Sequence, residues 1–154
     1  MGTDALTGAI RRAMQIDAPR LHDIRHAAIS TLAPAGMPEQ MARQWAERRS
    51  VEWTEQIIKE RDVWVFDCEI GGVAWVSFTG SEIDGLYTDP AVAQRGVGSS
   101  LLAFAEEQIA RRGTCEARLE ASCNAETFYL KRGWAFTGSR PPDGAREMAK
   151  RLLA

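Results

Sequence analysis

Apolar residues recur along this chain with two periods, and the way the periods alternate predicts a layered α/β fold. Met1 to Gly8 shows no period and reads as a loose end, after which Ala9 to Gln15 can form a first strand. Asp17 stands where a helix N-cap would, and Pro19 falls in the first turn, where a missing N–H costs least. Leu21, Ile24, Arg25, Ala28 and Leu32 then mark one mainly apolar helical stripe, which the Ala-Pro-Ala-Gly run at 33–36 stops. Pro38 to Arg61 is helical again, broken near Ser50, with Trp45, Trp53, Ile57 and Ile58 as apolar anchors.

Beyond Arg61 the pattern changes to that of strands. Val63 to Phe66 and Val73 to Phe78 are rich in strand formers, and Gly71-Gly72 between them predicts a hairpin. Gly80 and Ser81 turn the chain into a further strand, Glu82 to Thr88, closed by Asp89-Pro90. Ser99 to Arg112 is the clearest helix. Leu101, Leu102, Ala105 and Ile109 share its inner face, Arg111 and Arg112 suit its last turn, and Gly113 can cap it. Glu116 to Ser122 alternates Ala117, Leu119 and Ala121 against Arg118 and Glu120, as a strand does. Asn124 to Arg132 is a short helix stopped by Gly133, and Trp134 to Thr137 with Ala145 to Leu152 can form a last hairpin. This order predicts a mixed α/β domain with a central, largely antiparallel sheet.

Composition narrows the class. A chain of 154 residues suits one domain, 1–154, and 45% hydrophobic with 26% charged residues is the balance of a globular protein that needs no staples. The net charge of −2 gives no basic face for nucleic acid, and a mildly acidic surface is a weak pull towards a cationic substrate. Cys68, Cys115 and Cys123 are odd in number and lack C-x-x-C spacing. They read as reduced, mostly buried thiols. His22 and His26 lie at i and i+4 and could share a metal, but no third ligand suggests itself, so no metal is expected. No stretch resembles a signal peptide or a membrane helix, so a cytoplasmic protein without a membrane partner is expected.

The candidate chemistry begins at Ala93-Gln94-Arg95-Gly96-Val97-Gly98-Ser99, between a strand and the strongest helix. Two glycines let the backbone approach an anion, and the helix behind them offers free N–H groups and the positive end of its dipole. Arg95 can add a charged contact. No Lys-Ser/Thr follows Gly98, so this is not a Walker A loop, and Leu101 occupies the third glycine position of a dinucleotide fingerprint.

The loop follows Ile83-Asp84-Gly85-Leu86-Tyr87-Thr88-Asp89-Pro90 directly, and together they resemble the pyrophosphate-binding motif of the GNAT superfamily of N-acetyltransferases. Leu119 to Ala125 is similar to that family's next strand and exit loop, and Phe128-Tyr129-Leu130-Lys131-Arg132-Gly133-Trp134 to its F-Y-x-x-x-G-F segment. The resemblance covers residues 82 to 138. It departs at Ala93, where the motif carries Gln or Arg and this chain has Gln94 one position later.

The resemblance implies a GNAT-type mixed sheet of six or seven strands flanked by helices, with two parallel strands splayed apart as a cofactor cleft. Acetyl-coenzyme A would be the cosubstrate, its pantetheine arm pairing with Leu86, Tyr87 and Thr88. Its pyrophosphate would rest on Gln94, Arg95, Gly96, Val97, Gly98 and Ser99. A backbone N–H near Leu86 or Tyr87 would polarise the thioester carbonyl, and Tyr129 would give its proton to the leaving thiolate. Asn124 could bind the coenzyme, cap the short helix, or do both. An amine attacks directly, and it must first lose a proton. Glu82 and Asp84, two residues apart at the head of the cofactor strand, are the best acids to accept it, although solvated strand-end carboxylates are the commoner case. His22, His26, Trp45 and Trp53 lie in the segment that shapes the family's acceptor pockets.

The activity expected is acetylation of a primary amine on a small molecule in a ternary complex. Acetylation of a protein N-terminus or lysine, and a non-catalytic acyl-coenzyme-A-binding module, are the alternatives. Pairing into a homodimer is common in the family.

Overall fold

The structure is a computed structural model that describes residues 5–32, 38–122, 124–138 and 145–152. A mixed seven-stranded sheet forms the middle layer. Its strands are β1 (Gly8–Arg12), β2 (Asp62–Cys68), β3 (Gly71–Thr79), β4 (Glu82–Thr88), β5 (Glu116–Ala121), β6 (Ala135–Phe136) and β7 (Arg146–Arg151), in the spatial order β1-β2-β3-β4-β5-β7-β6. Every pair is antiparallel except β4 with β5. The helices are α1 (Ala18–Leu32), α2 (Glu39–Glu47), α3 (Val51–Glu60), α4 (Val97–Arg111) and α5 (Glu126–Leu130).

Alternation along the strands sends side chains into two cores. On one face, Leu101, Leu102, Ala105 and Ile109 of α4 pack with Val73, Val76 and Phe78 of β3. On the other, Leu21 and Ile24 of α1 and Ile57 of α3 close over Val63, Val65 and Trp75. Trp75 is fully buried, and its indole N–H donates to the Leu21 carbonyl at 2.9 Å, which ties the strand to the helix crossing it.

The differences from the sequence pattern have local causes. The first strand stops at Arg12, because the chain turns at Met14 to Asp17. There the Asp17 carboxylate accepts the Met14 N–H at 2.7 Å and both ends of the Arg11 guanidinium at 2.9 Å. Asp17 therefore precedes α1 but is engaged by the turn rather than by the helix. Ser50 does cap, accepting the Trp53 N–H at the head of α3. Part of the stretch expected to be loose is held: the Leu6 N–H donates to the Arg95 carbonyl at 3.1 Å, and Gly8 pairs with Cys68. Residues 1–4, the Ala33–Gly36 stop signal and Cys123 lie outside the described residues.

Two irregularities of β4 position the site. The β3–β4 register slips between Ser77–Gly85 and Phe78–Ile83, so Asp84 is an extra residue that bulges out of the ladder. On its other side β4 pairs with β5 only at Glu82–Arg118 and Ile83–Leu119. The two strands then part, and β5 continues against β7 as far as Ala121–Arg146.

Candidate active site

Two cavities, of about 500 and about 440 Å³, open beside the parted strands. They share the wall formed by Leu86 and Tyr87 of β4, Ser122 and Ala125 beyond β5, Tyr129 of α5 and Trp45 of α2.

The larger cavity runs from that wall past Thr88 to Gln94 and Gly98 at the head of α4. Gln94 has φ 64°, and Gly96, the N-cap of α4, has φ 83° in the left-handed region that glycine tolerates best. The amides that follow have no carbonyl one turn earlier in the helix, so they are donors for an anion. A Cβ at Gly98 would stand 3.4 Å from the Thr88 hydroxyl and 3.7 Å from Phe128, in ordinary contact with both.

The loop residues divide. Gln94 and Gly98 line the cavity, whereas the Val97 side chain turns into the core and the Ser99 hydroxyl accepts Arg132 Nε at 2.7 Å. Arg95 does not line it, and its carbonyl is the acceptor for Leu6. Asn124 lines the cavity but does not cap α5, whose N-cap is Ala125 without a side-chain bond. Its Oδ1 accepts the Ser122 hydroxyl at 2.6 Å.

The smaller cavity lies under α1, α2 and α3. Glu82 and Asp84 both line it, so the two predicted carboxylates do share a space with Tyr129. Asp84 accepts the Thr79 hydroxyl at 2.7 Å and lies 3.8 Å from Arg61. Glu120 joins them from β5, and Trp45 and Trp53 from the helices.

Tyr129 is 8% exposed, with its ring edge-on to Phe128 at 5.1 Å and to Trp134 at 6.0 Å. Burial raises its pKa well above the ordinary tyrosine value, and Tyr87 adds to the rise. The hydroxyl keeps its proton at neutral pH and is a donor. The Tyr87 ring packs against Trp75 at 5.0 Å and lies over Gly85, where a Cβ would come within 2.7 Å of its Cε2.

In the sequence Arg25 reads only as a member of the α1 apolar stripe. It is 3% exposed, it lines the smaller cavity, and its Nε has no partner. The buried Ser77 hydroxyl on the same wall also lacks one. A charged residue within an apolar stripe was the sequence signal for Arg25. His22 and His26 stand 6.4 Å apart, and among the described residues no three metal-capable side chains cluster.

The family model for an acetyltransferase (GNAT) domain matches residues 32–143. The chain belongs to the GNAT acetyltransferase family. As such it is an acyltransferase enzyme that carries out acetyl transfer. The uncharacterized N-acetyltransferase YafP of Escherichia coli (strain K12) is 28% identical over 107 residues, 70% of this chain and 67% of that protein. A GCN5-related N-acetyltransferase from Rhodopseudomonas palustris matches the fold with a TM-score of 0.89 at 24% identity, over 99% of this chain and 100% of that one. The PaiA N-acetyltransferase from Thermoplasma acidophilum, solved in complex with coenzyme A, matches with a TM-score of 0.83 at 17% identity, over 96% and 100%. Among the described residues, no helix of this acetyltransferase is long and apolar enough to cross a membrane.

Proposed function

We propose that this acetyltransferase moves the acetyl group of acetyl-coenzyme A directly to the primary amine of a small molecule, both substrates being bound at once. The observation that carries this reading is the pair of cavities meeting at Leu86, Tyr87 and Tyr129. One cavity has an anion-binding helix start at its far end, and the other has carboxylates. A reaction between two bound partners needs such a shared wall, because orientation across it replaces a chance encounter.

The larger cavity fits the coenzyme. Gly98 lines it, the α4 amides suit phosphate, and the free edge of β4 offers peptide groups to an amide-bearing arm. The complex of the PaiA enzyme with coenzyme A supports the same choice. When bound, the coenzyme supplies an acyl thioester. The rest falls to this chain. A backbone N–H of Leu86 or Tyr87, whichever faces the open edge of β4, would meet the negative charge that builds on the carbonyl oxygen. Glu82 or Asp84 accepts the proton of the ammonium, directly or through water. The Tyr129 hydroxyl, on the wall the two cavities share, would give the departing sulfur a hydrogen bond or the proton itself.

The smaller cavity, at about 440 Å³, is in the range of small-molecule sites, and tryptophans on α2 and α3 wall it. That favours a small acceptor over a protein chain. Thiol release from acetyl-coenzyme A, followed across a panel of small amines and a panel of peptides, tests the reading. Small amines should be turned over and peptides should not. Turnover of peptides in preference to small amines would overturn the small-molecule reading.

A further inference from the structure

The polar groups of the smaller cavity are sorted by sign. Glu82, Asp84 and Glu120 lie on its strand side, on β4 and β5. Arg25, Arg49 and Arg61 come from α1 and from the residues that follow α2 and α3. Arg61 is taken up by Asp84 at 3.8 Å. Arg25 and Arg49 form no ion pair with any described carboxylate.

Arg25 is the unusual one. Its Nη1 donates to the Ala46 carbonyl at 3.2 Å, and its guanidinium lies 5.5 Å from the Trp53 ring centroid and 5.8 Å from that of Tyr87. Stacking on aromatic faces offsets part of the cost of burying a cation, and one neutral hydrogen bond offsets a little more. Neither supplies a counter-charge, and a buried cation without one is costly to a fold. The exposed Arg49 stacks on the same Trp53 at 4.9 Å, so two cations flank one ring of this wall. With Nη1 engaged by the Ala46 carbonyl, the partnerless Nε–H is the donor left over for an anion.

We propose that the acceptor is an amino carboxylate, its carboxylate held by Arg25 and its amine directed at the strand-side carboxylates. This rests on the acetyl-transfer reading above and names the substrate class for the same site. Charge balance favours one carboxylate over a phosphate ester. Three acidic side chains share the cavity, and a dianion would be repelled by them while only one buried guanidinium is unpaired. The aromatic wall of Trp45, Trp53 and Tyr87 suits an amino acid with a flat or apolar side chain.

The test uses matched pairs: each amino acid alongside its methyl ester and its decarboxylated amine, with phosphoethanolamine as the phosphate arm. Thiol release gives kcat/KM, and melting temperature with acetyl-coenzyme A alone monitors the cofactor site. The free acids should exceed their esters and decarboxylated amines by about 10- to 100-fold, the loss that follows when a buried charge-assisted bond is removed. In Arg25→Met, which keeps length and apolar packing, that preference should collapse towards one. Arg25→Lys should restore part of it, since charge remains and the Nε–H is gone. The melting shift with acetyl-coenzyme A should persist in both. If either variant fails to fold, the wild-type ratios decide alone. Equal rates for acids and decarboxylated amines would overturn the carboxylate assignment and leave acetyl transfer standing, as would phosphoethanolamine as the preferred acceptor. Acetyl-coenzyme A producing neither a melting shift nor turnover would overturn the underlying reading and this one with it.

Discussion

Tyr87, on a strand, and Tyr129, on a helix, border both cavities, and after burial Tyr87 is the second cause that raises the Tyr129 pKa. These are the only two tyrosines in the chain, so each can be studied in a variant lacking the other.

Tyr129→Phe removes the donor and keeps the ring between Phe128 and Trp134. We expect kcat to fall by about 10²- to 10⁴-fold, the usual scale of proton-transfer help, with a smaller change in the acetyl-coenzyme A KM. In Tyr87→Phe, ultraviolet titration sees Tyr129 alone. Its pKa should fall but stay above the ordinary value, because burial, the larger cause, is untouched. A wild-type rate for Tyr129→Phe when chemistry limits turnover would reduce the residue to packing.

Gly96 separates strain from charge. No atom lies within 4 Å of a Cβ added there, so Gly96→Ala pays only for φ 83°, about 1–2 kcal/mol of stability, and should retain most cofactor affinity. Gly96→Asp adds a negative charge at the helix start and should abolish the melting shift with acetyl-coenzyme A. Calorimetry on folded variants decides, and unchanged affinity in Gly96→Asp would remove the phosphate site from this loop.

The carboxylates can be ranked by turnover against pH. Glu82→Gln and Asp84→Asn should leave acetyl-coenzyme A binding intact, and one of them should lose most activity at low pH, where more of the amine is protonated. Asp84→Asn also gives up its pairing with Arg61, so a modest drop in melting temperature accompanies it. Wild-type profiles for both would move the proton acceptor elsewhere.

Asp17 provides a pH-dependent stability test away from the chemistry. Arg11 holds its pKa below the ordinary carboxylate value, assisted by the Met14 N–H. A lowered folded-state pKa stabilises above the unfolded-state value and stops doing so as pH falls through the folded one. Asp17→Asn should therefore cost about 1–3 kcal/mol at neutral pH, and its melting temperature should converge on wild type in acid. A constant gap across the acid range would show that the carboxylate's charge is not what matters there.

Much of this was legible in the residues because it is local. The Glu82–Thr88 strand, the α4 face and the Ser50 break follow from periodicity and capping, which neighbours in sequence decide. The glycine turn before α4 was legible for the same reason. Three features were not. The Asp84 bulge depends on how β3 and β4 register, and nothing in either strand alone states it. The N-cap of α5 is Ala125 and not Asn124, because the helix begins one residue later than the pattern around it suggests. Arg25 met the periodicity of a core residue, and only the packing of α1 against α2 and α3 shows that its guanidinium is enclosed beside a cavity.

The parting of β4 from β5 leaves a strand edge inside the protein. Such edges are sticky, and at a surface they invite pairing with other chains. Here the edge is screened by helices, so only something slim enough to enter the cleft can complete it. The amides of that stretch of β4 should then exchange with solvent hydrogen faster than those paired to β3. Filling the cleft should slow them selectively, giving a residue-by-residue record of occupancy that does not require the acceptor to be known.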